Sequence, residues 1–173
     1  MQLCSTKGGN FNMLYERETV RTIYYEINHT FKRSLEEAEA INQKWQKKGI
    51  KAKECPFQSF LEKKGASLQF AMAMLYRLHQ NNIKGLIGVY NTASEDNIIE
   101  AHTFVLYRES FLRWYVADFK PESLPKTICN PARIPLLDYK KIKGKLVFFN
   151  PYDKPLGNLP MFDGFFNEPV LKF

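Results

Sequence analysis

The chain has 173 residues, 45% of them hydrophobic and 14% aromatic, which suffices for one core of ordinary domain size and is too apolar for a disordered chain. Its net charge of +7 favours acidic partners or surfaces without dictating a fold. Three widely spaced cysteines (Cys4, Cys55, Cys129) and three histidines give neither a disulfide framework nor metal-ligand spacing, so free thiols in a reducing compartment and no cofactor are expected.

Residues 1–10 read as a loose polar arm. No apolar run is long enough for a membrane span, and Met1–Lys7 has no apolar signal region. The expected setting is the cytoplasm, or export by a dedicated secretion machine, with no membrane partner. Thr19–Ile27 is rich in β-branched and aromatic residues and reads as a strand. Ser34-Leu-Glu-Glu37 has the form of a capping box, in which Ser34 caps a helix and Glu37 reaches back to the cap amide. That helix runs to about Lys48, with Leu35, Ala38, Ile41 and Trp45 as its apolar stripe and Gly49 as its stop. The run Lys44, Lys47, Lys48, Lys51 and Lys53 reads as a solvated face and loop.

Cys55-Pro56 starts a shorter helix with Cys55 at the cap. Gly65 breaks the chain. From Ser67, the residues Leu68, Ala71, Met72, Leu75 and Leu78 recur at helical spacing, in a largely buried helix ending near Asn81-Asn82. Lys84–Asn91 reads as a strand, Ser94–Asn97 as a turn and Ile98–Tyr107 as a second strand. Arg108-Glu109-Ser110 is a tight connection to a third strand, Phe111–Phe119, the last two forming an antiparallel hairpin. After Pro121 the chain reads as irregular and Pro-rich, apart from a strand over Lys145–Phe149. From Asn150 to Phe173 it reads as an extended segment over the body. The whole is one α+β domain, its core at about 34–150, with an antiparallel sheet packed on a helix.

Three of these pieces carry chemistry. A nucleophile at Ser67 would sit at the positive end of a helix dipole, which stabilises a thiolate or an oxyanion. His102, on a strand, can take the nucleophile's proton, and Asp118, on the next strand, can fix the imidazole tautomer. His102 and Asp118 are sixteen residues apart, so a hairpin centred on Ser110 places them opposite each other on one face. Each residue also has a structural role open to it: Ser67 as a helix cap, His102 as a satisfied core histidine, Asp118 as a strand-end turn former. Trp114 reads as core, and His29 and His79 as helix or surface residues. Cys55 is a rival nucleophile at the start of a shorter, less apolar helix.

The ordered set Ser67, Ala71, Asn82-Ile83, Gly88-Val89, His102-Thr103-Phe104-Val105 and Trp114 to Asp118 resembles the transglutaminase-like superfamily of papain-like cysteine enzymes. The resemblance covers about residues 65–119. It implies a papain-like fold, a catalytic Cys at the position of Ser67, His102 as base and then acid, and Asp118 as its orienter. Ser67 is therefore a departure. It is explained by an engineered inactivating replacement, a natural pseudo-enzyme or a serine variant, and the retained His102 and Asp118 favour the first. An upstream Gln or Trp supplies an oxyanion donor in such enzymes. Gln58 and Trp45 do not match that spacing, which leaves the Ser67 backbone amide.

The implied activity is thiol-type acyl transfer on peptide or glutamine amides by a cysteine protease, deamidase or transglutaminase, with a protein or peptide as substrate. Hydrolysis is the default outcome for so small a core. The alternative is a non-catalytic module that holds a peptide or protein in the same groove. Nucleic-acid binding would rest on net charge alone, with no basic-aromatic motif behind it, so no nucleic-acid partner is expected.

Overall fold

The computed structural model describes residues 8–93, 99–110 and 113–152. The turn expected at Ser94–Asn97, the first seven residues of the arm and the C-terminal segment from residue 153 lie outside the described residues.

Helix α1 spans Gly8–Thr30. It replaces the strand expected over Thr19–Ile27 and takes in Gly8–Asn10 of the expected arm. Val20, Ile23, Tyr24 and Ile27 are the buried positions, at i, i+3, i+4 and i+7, which is the period of a helix. Their β-branched and aromatic composition suits a strand, but burial of one helical stripe outweighs that weak preference. These residues join the main core, which therefore begins well before residue 34.

Helix α2 (Leu35–Lys48) starts and stops where the sequence places it. Ser34 Oγ accepts from the Glu37 amide at 3.3 Å, and Gly49 is left-handed at φ 62°. Ala38, Ile41 and Trp45 are buried, whereas Leu35 is exposed and not part of the stripe. The second half of the capping box is not made. The Ser34 amide donates to Gly65 O at 2.9 Å, because strand β1 (Lys32–Arg33) pairs in parallel with β2 (Lys64–Gly65). Glu37 is diverted to Lys64 Nζ at 2.8 Å. Lys44, Lys47, Lys48, Lys51 and Lys53 are all exposed, and Lys44 is paired with Glu62.

A 3-10 turn (Ala52–Glu54) leads into α3 (Cys55–Glu62). Glu54, not Cys55, takes the cap position, since the turn continues directly into the helix. Helix α4 (Ser67–Gln80) follows, and Phe70 through Leu75 are buried without a break, so it is the central helix of the core.

Strands β3 (Gly85–Ala93), β4 (Ile99–Ser110), β5 (Arg113–Ala117), β6 (Ile134–Pro135) and β7 (Val147–Phe149) form an antiparallel sheet in the order β6-β5-β4-β3-β7. Arg108-Glu109-Ser110 continue β4 and are not the connection. The chain after Pro121 is more regular than expected: a 3-10 turn (Pro121–Ser123), β6 and helix α5 (Leu136–Lys143) precede β7. The described fold is thus α+β with five α-helices.

Alternation along the strands divides the core in two. Ile87, Val89, Val105, Tyr107, Tyr115 and Ala117 face α1 and α4. Tyr90, Phe104, Leu106, Val116 and Phe148 lie on the other face with Tyr139 of α5. Gly88 leaves room for the Phe104 ring across the strand pair, since a Cβ there would stand 2.2 Å from it and the ring would have to move.

Candidate active site at the open edge of strand β4

The start of α4 is held from three sides. Gly65 has φ 135°, and a Cβ on it would lie 2.6 Å from Gln69 Cγ, so only glycine fits. The Ala66 N–H donates to Gln69 Oε1 at 2.9 Å, and Gln69 Nε2 donates to Asn42 Oδ1 of α2 at 2.8 Å. Gln69 is fully buried. The cap residue, Ala66, has no side chain with which to cap, and Ser67 is the first helical residue, not the cap. The first-turn amides therefore receive no bond from a cap side chain at the positive end of the helix. Neither Gln69 nor Asn42 stands out as a site residue in the sequence. An acceptor side chain three residues after the cap position is the one visible signal, and the Ala at the cap hides it.

The β4–β5 pairing ends at Val105–Ala117, and beyond that point no strand among the described residues pairs with this edge of β4, which is open in that sense. There the Thr103 N–H donates to Ser67 Oγ at 3.3 Å. This bond uses the oxygen as an acceptor and leaves its own proton for a base.

His102 Nε2 lies 2.7 Å from Asp118 Oδ1, and both groups are buried. The expected direct opposition is displaced by two residues. Leu106 faces Val116, whereas a turn centred on Ser110 would set it against Trp114, and a bulge at Arg108/Ser110 accompanies the change. A shift of two keeps both side chains on one face. Asp118 stands just past the end of β5 and reaches back diagonally to the imidazole. A carboxylate has no proton to give here, so Nε2 carries the hydrogen of this bond and Nδ1 is the ring nitrogen left for another partner.

Asp118 is saturated with donors. Oδ1 also accepts from the Lys120 N–H at 2.8 Å, and Oδ2 accepts from the Tyr139 hydroxyl at 2.7 Å. Its backbone is fixed as well, with the N–H on Pro131 O at 2.9 Å and the C=O on the Tyr24 hydroxyl at 2.7 Å. Burial, then the Asp118 charge, pushes the Tyr139 and Tyr24 phenols well above their usual range, so both remain donors. Tyr139 was beyond sequence reasoning, because α5 is short and buries little else.

The three expected residues do not stand equivalently. His102 and Asp118 are bonded to each other. The imidazole shares its sheet face with Tyr90, whose ring centroid is 5.1 Å away, whereas Ser67 arrives with α4 on the opposite face. What lies between them is the β4 edge at Thr103, where β5 no longer pairs; Thr103 itself is buried. Comparison with protein-family models, curated proteins and solved structures found no match.

The rival nucleophile fares poorly on physical grounds. Burial, and then the Glu54 charge, pushes the Cys55 thiol up to about 12, and a thiol is a weak nucleophile. At pH 8, iodoacetamide is expected to modify exposed Cys129 in the native protein and Cys55 only after unfolding, as read by peptide mass mapping. Equal rates at the two would show that Cys55 is accessible and ionised. The sign for stability follows from the upward shift: the contribution is whole below about pH 9, the ordinary thiol value, and falls as pH rises towards 12. Trp45 is buried in the core and Gln58 lies partly exposed on α3. Among the described residues, no cluster of His, Cys, Asp and Glu could hold a metal ion, and no helix is long and apolar enough to cross a membrane.

Proposed function

We propose that this chain carries a papain-like, transglutaminase-like acyl-transfer site whose nucleophile position is Ser67. The observation behind this reading is the buried 2.7 Å His102–Asp118 pair beside the strand edge that the first residue of α4 touches. With Cys at position 67, Nδ1 of His102 takes the thiol proton, and the thiolate attacks the carbonyl carbon of a peptide or glutamine amide. The first-turn amides of α4 receive the oxyanion. His102 then returns the proton to the leaving amine, and water or a second amine releases the acyl group. Water makes the site a protease or deamidase, and an amine makes it a transglutaminase; hydrolysis is the reading adopted. With Ser in place, the hydroxyl holds its proton far more tightly and the thiol chemistry is silent.

The test is Ser67→Cys. The variant is expected to be alkylated at position 67 by an electrophilic thiol probe at pH 7 faster than at Cys129, by peptide mass mapping. Labelling no faster than that of Cys129 would exclude position 67 as an activated nucleophile.

The Ser67–Thr103 bond also favours a second reading, in which Ser67 pins α4 to the strand and the chain is a non-catalytic peptide- or protein-binding module. In that case Ser67→Cys gains no reactivity, and Ser67→Ala costs stability by loss of one hydrogen bond, about 1 kcal/mol.

A further inference from the structure

The dyad has a second layer. Tyr139 is fully buried on α5, and its hydroxyl reaches Asp118 Oδ2, the oxygen that His102 does not use. The Tyr139 ring also packs edge-on against that of Tyr90, with centroids 6.2 Å apart. Tyr90 in turn sits against the His102 ring, and Lys143 Nζ lies 4.8 Å above the Tyr90 ring while donating to Ser123 O at 2.8 Å. Asp118 is thus backed by the Tyr139 hydroxyl and His102 by the Tyr90 ring, the two tyrosines packing on each other, and α5 supplies the anchor.

We propose that Tyr139 is a positioning residue for the His102–Asp118 pair: its hydroxyl fixes the carboxylate so that Oδ1 faces Nε2 and holds the imidazole in the tautomer with Nδ1 unprotonated. The reason lies in the carboxylate's two oxygens. Oδ1 serves two donors, His102 and the Lys120 amide. An unpartnered Oδ2 in the same buried place would draw the group round towards those donors and weaken the bond to the imidazole. Tyr139 also packs its ring 4.7 Å from that of Phe104. Phe at position 139 keeps this packing and removes only the hydroxyl. The inference rests on the catalytic reading of the dyad for its purpose, but its geometry stands without it.

The test is Tyr139→Phe in the chain as it stands, followed by long-range proton–nitrogen NMR of the His102 ring. The parent is expected to show one tautomer with a slowly exchanging Nε2 proton. In the variant that proton is expected to exchange about tenfold faster, with the second tautomer visible. Unchanged tautomer and exchange in a folded variant would overturn the proposal and leave Tyr139 as packing alone. If Tyr139→Phe does not fold, 4-fluorophenylalanine in place of Tyr139 carries the test: it fills the hydroxyl's space without a proton to donate and is expected to speed the same exchange, and no change counts against the proposal. In the Ser67→Cys background, Tyr139→Phe is expected to slow probe labelling about tenfold, yet to add nothing to His102→Ala, because it acts through that ring. Additive losses would also overturn it. Absence of labelling in every background would sink the acyl-transfer reading, while the NMR result still decides the role of Tyr139.

Discussion

Asp118→Ala is expected to cost the fold about 3–5 kcal/mol, the range for removing one partner from a buried, charged network. Asp118 is fully buried, and its carboxylate satisfies the His102 ring, the Lys120 amide and the Tyr139 hydroxyl. Truncation leaves all three donors without their acceptor and opens a small void where the carboxylate stood. Stripping a buried group of its partner costs more than the bond contributes on balance, because desolvation goes uncompensated. Native domains hold only about 5–15 kcal/mol in total, so a loss of this size is close to unfolding. Urea denaturation followed by circular dichroism reads it as a fall in the midpoint at similar slope. A loss below about 1 kcal/mol would mean that water replaces the carboxylate and that the network does not hold this edge together.

His102→Ala in the Ser67→Cys background is expected to slow labelling at position 67 by about 10²–10⁴, the usual contribution of a positioned general base. The effect should fade at high pH, where the thiol ionises without help. An uncatalysed thiol titrates near 8.5, so the two rate–pH profiles are expected to converge above about pH 9. A structural role for His102 would instead lower labelling by the same factor at every pH, or not at all. The profile thus separates a base from a core histidine, and no substrate is needed. It also bears on the placement of the two groups. Ser67 comes from the α4 side and His102 lies on the Tyr90 side, and only a base able to act across the open β4 edge gives the pH-dependent loss.

The helices that were legible had two independent signals each. Ser34 and Gly49 bracket α2, and a continuous apolar stripe marks α4 after the break at Gly65. Helix α1 had its buried period in plain view at Val20, Ile23, Tyr24 and Ile27, but a β-rich composition pointed the other way. Local preference is a weak prior, and packing on α4 and Phe119 overrode it. Helix α5 was not legible because Tyr139 is its only buried residue, so no apolar stripe runs between Pro135 and Gly144. The hairpin was legible as a pair of strands, but its register was not, since a bulge at Arg108/Ser110 shifts the pairing and leaves no mark in composition.

The sequence by itself determined an α+β chain, a buried helix opening at Ser67, and a His on one strand of a hairpin with an Asp at the end of the other. These follow from apolar periodicity and from the parity of strand positions, which are local properties. The tertiary structure alone decided that β5 leaves β4 at Ala117, that the open edge beyond it meets the first residue of α4, and that Asp118 is held by Tyr139 from a distant helix. Those facts depend on where one backbone departs from another and on what fills the space left behind. Such contacts join residues as far apart as Tyr24 and Asp118, and no local pattern encodes them.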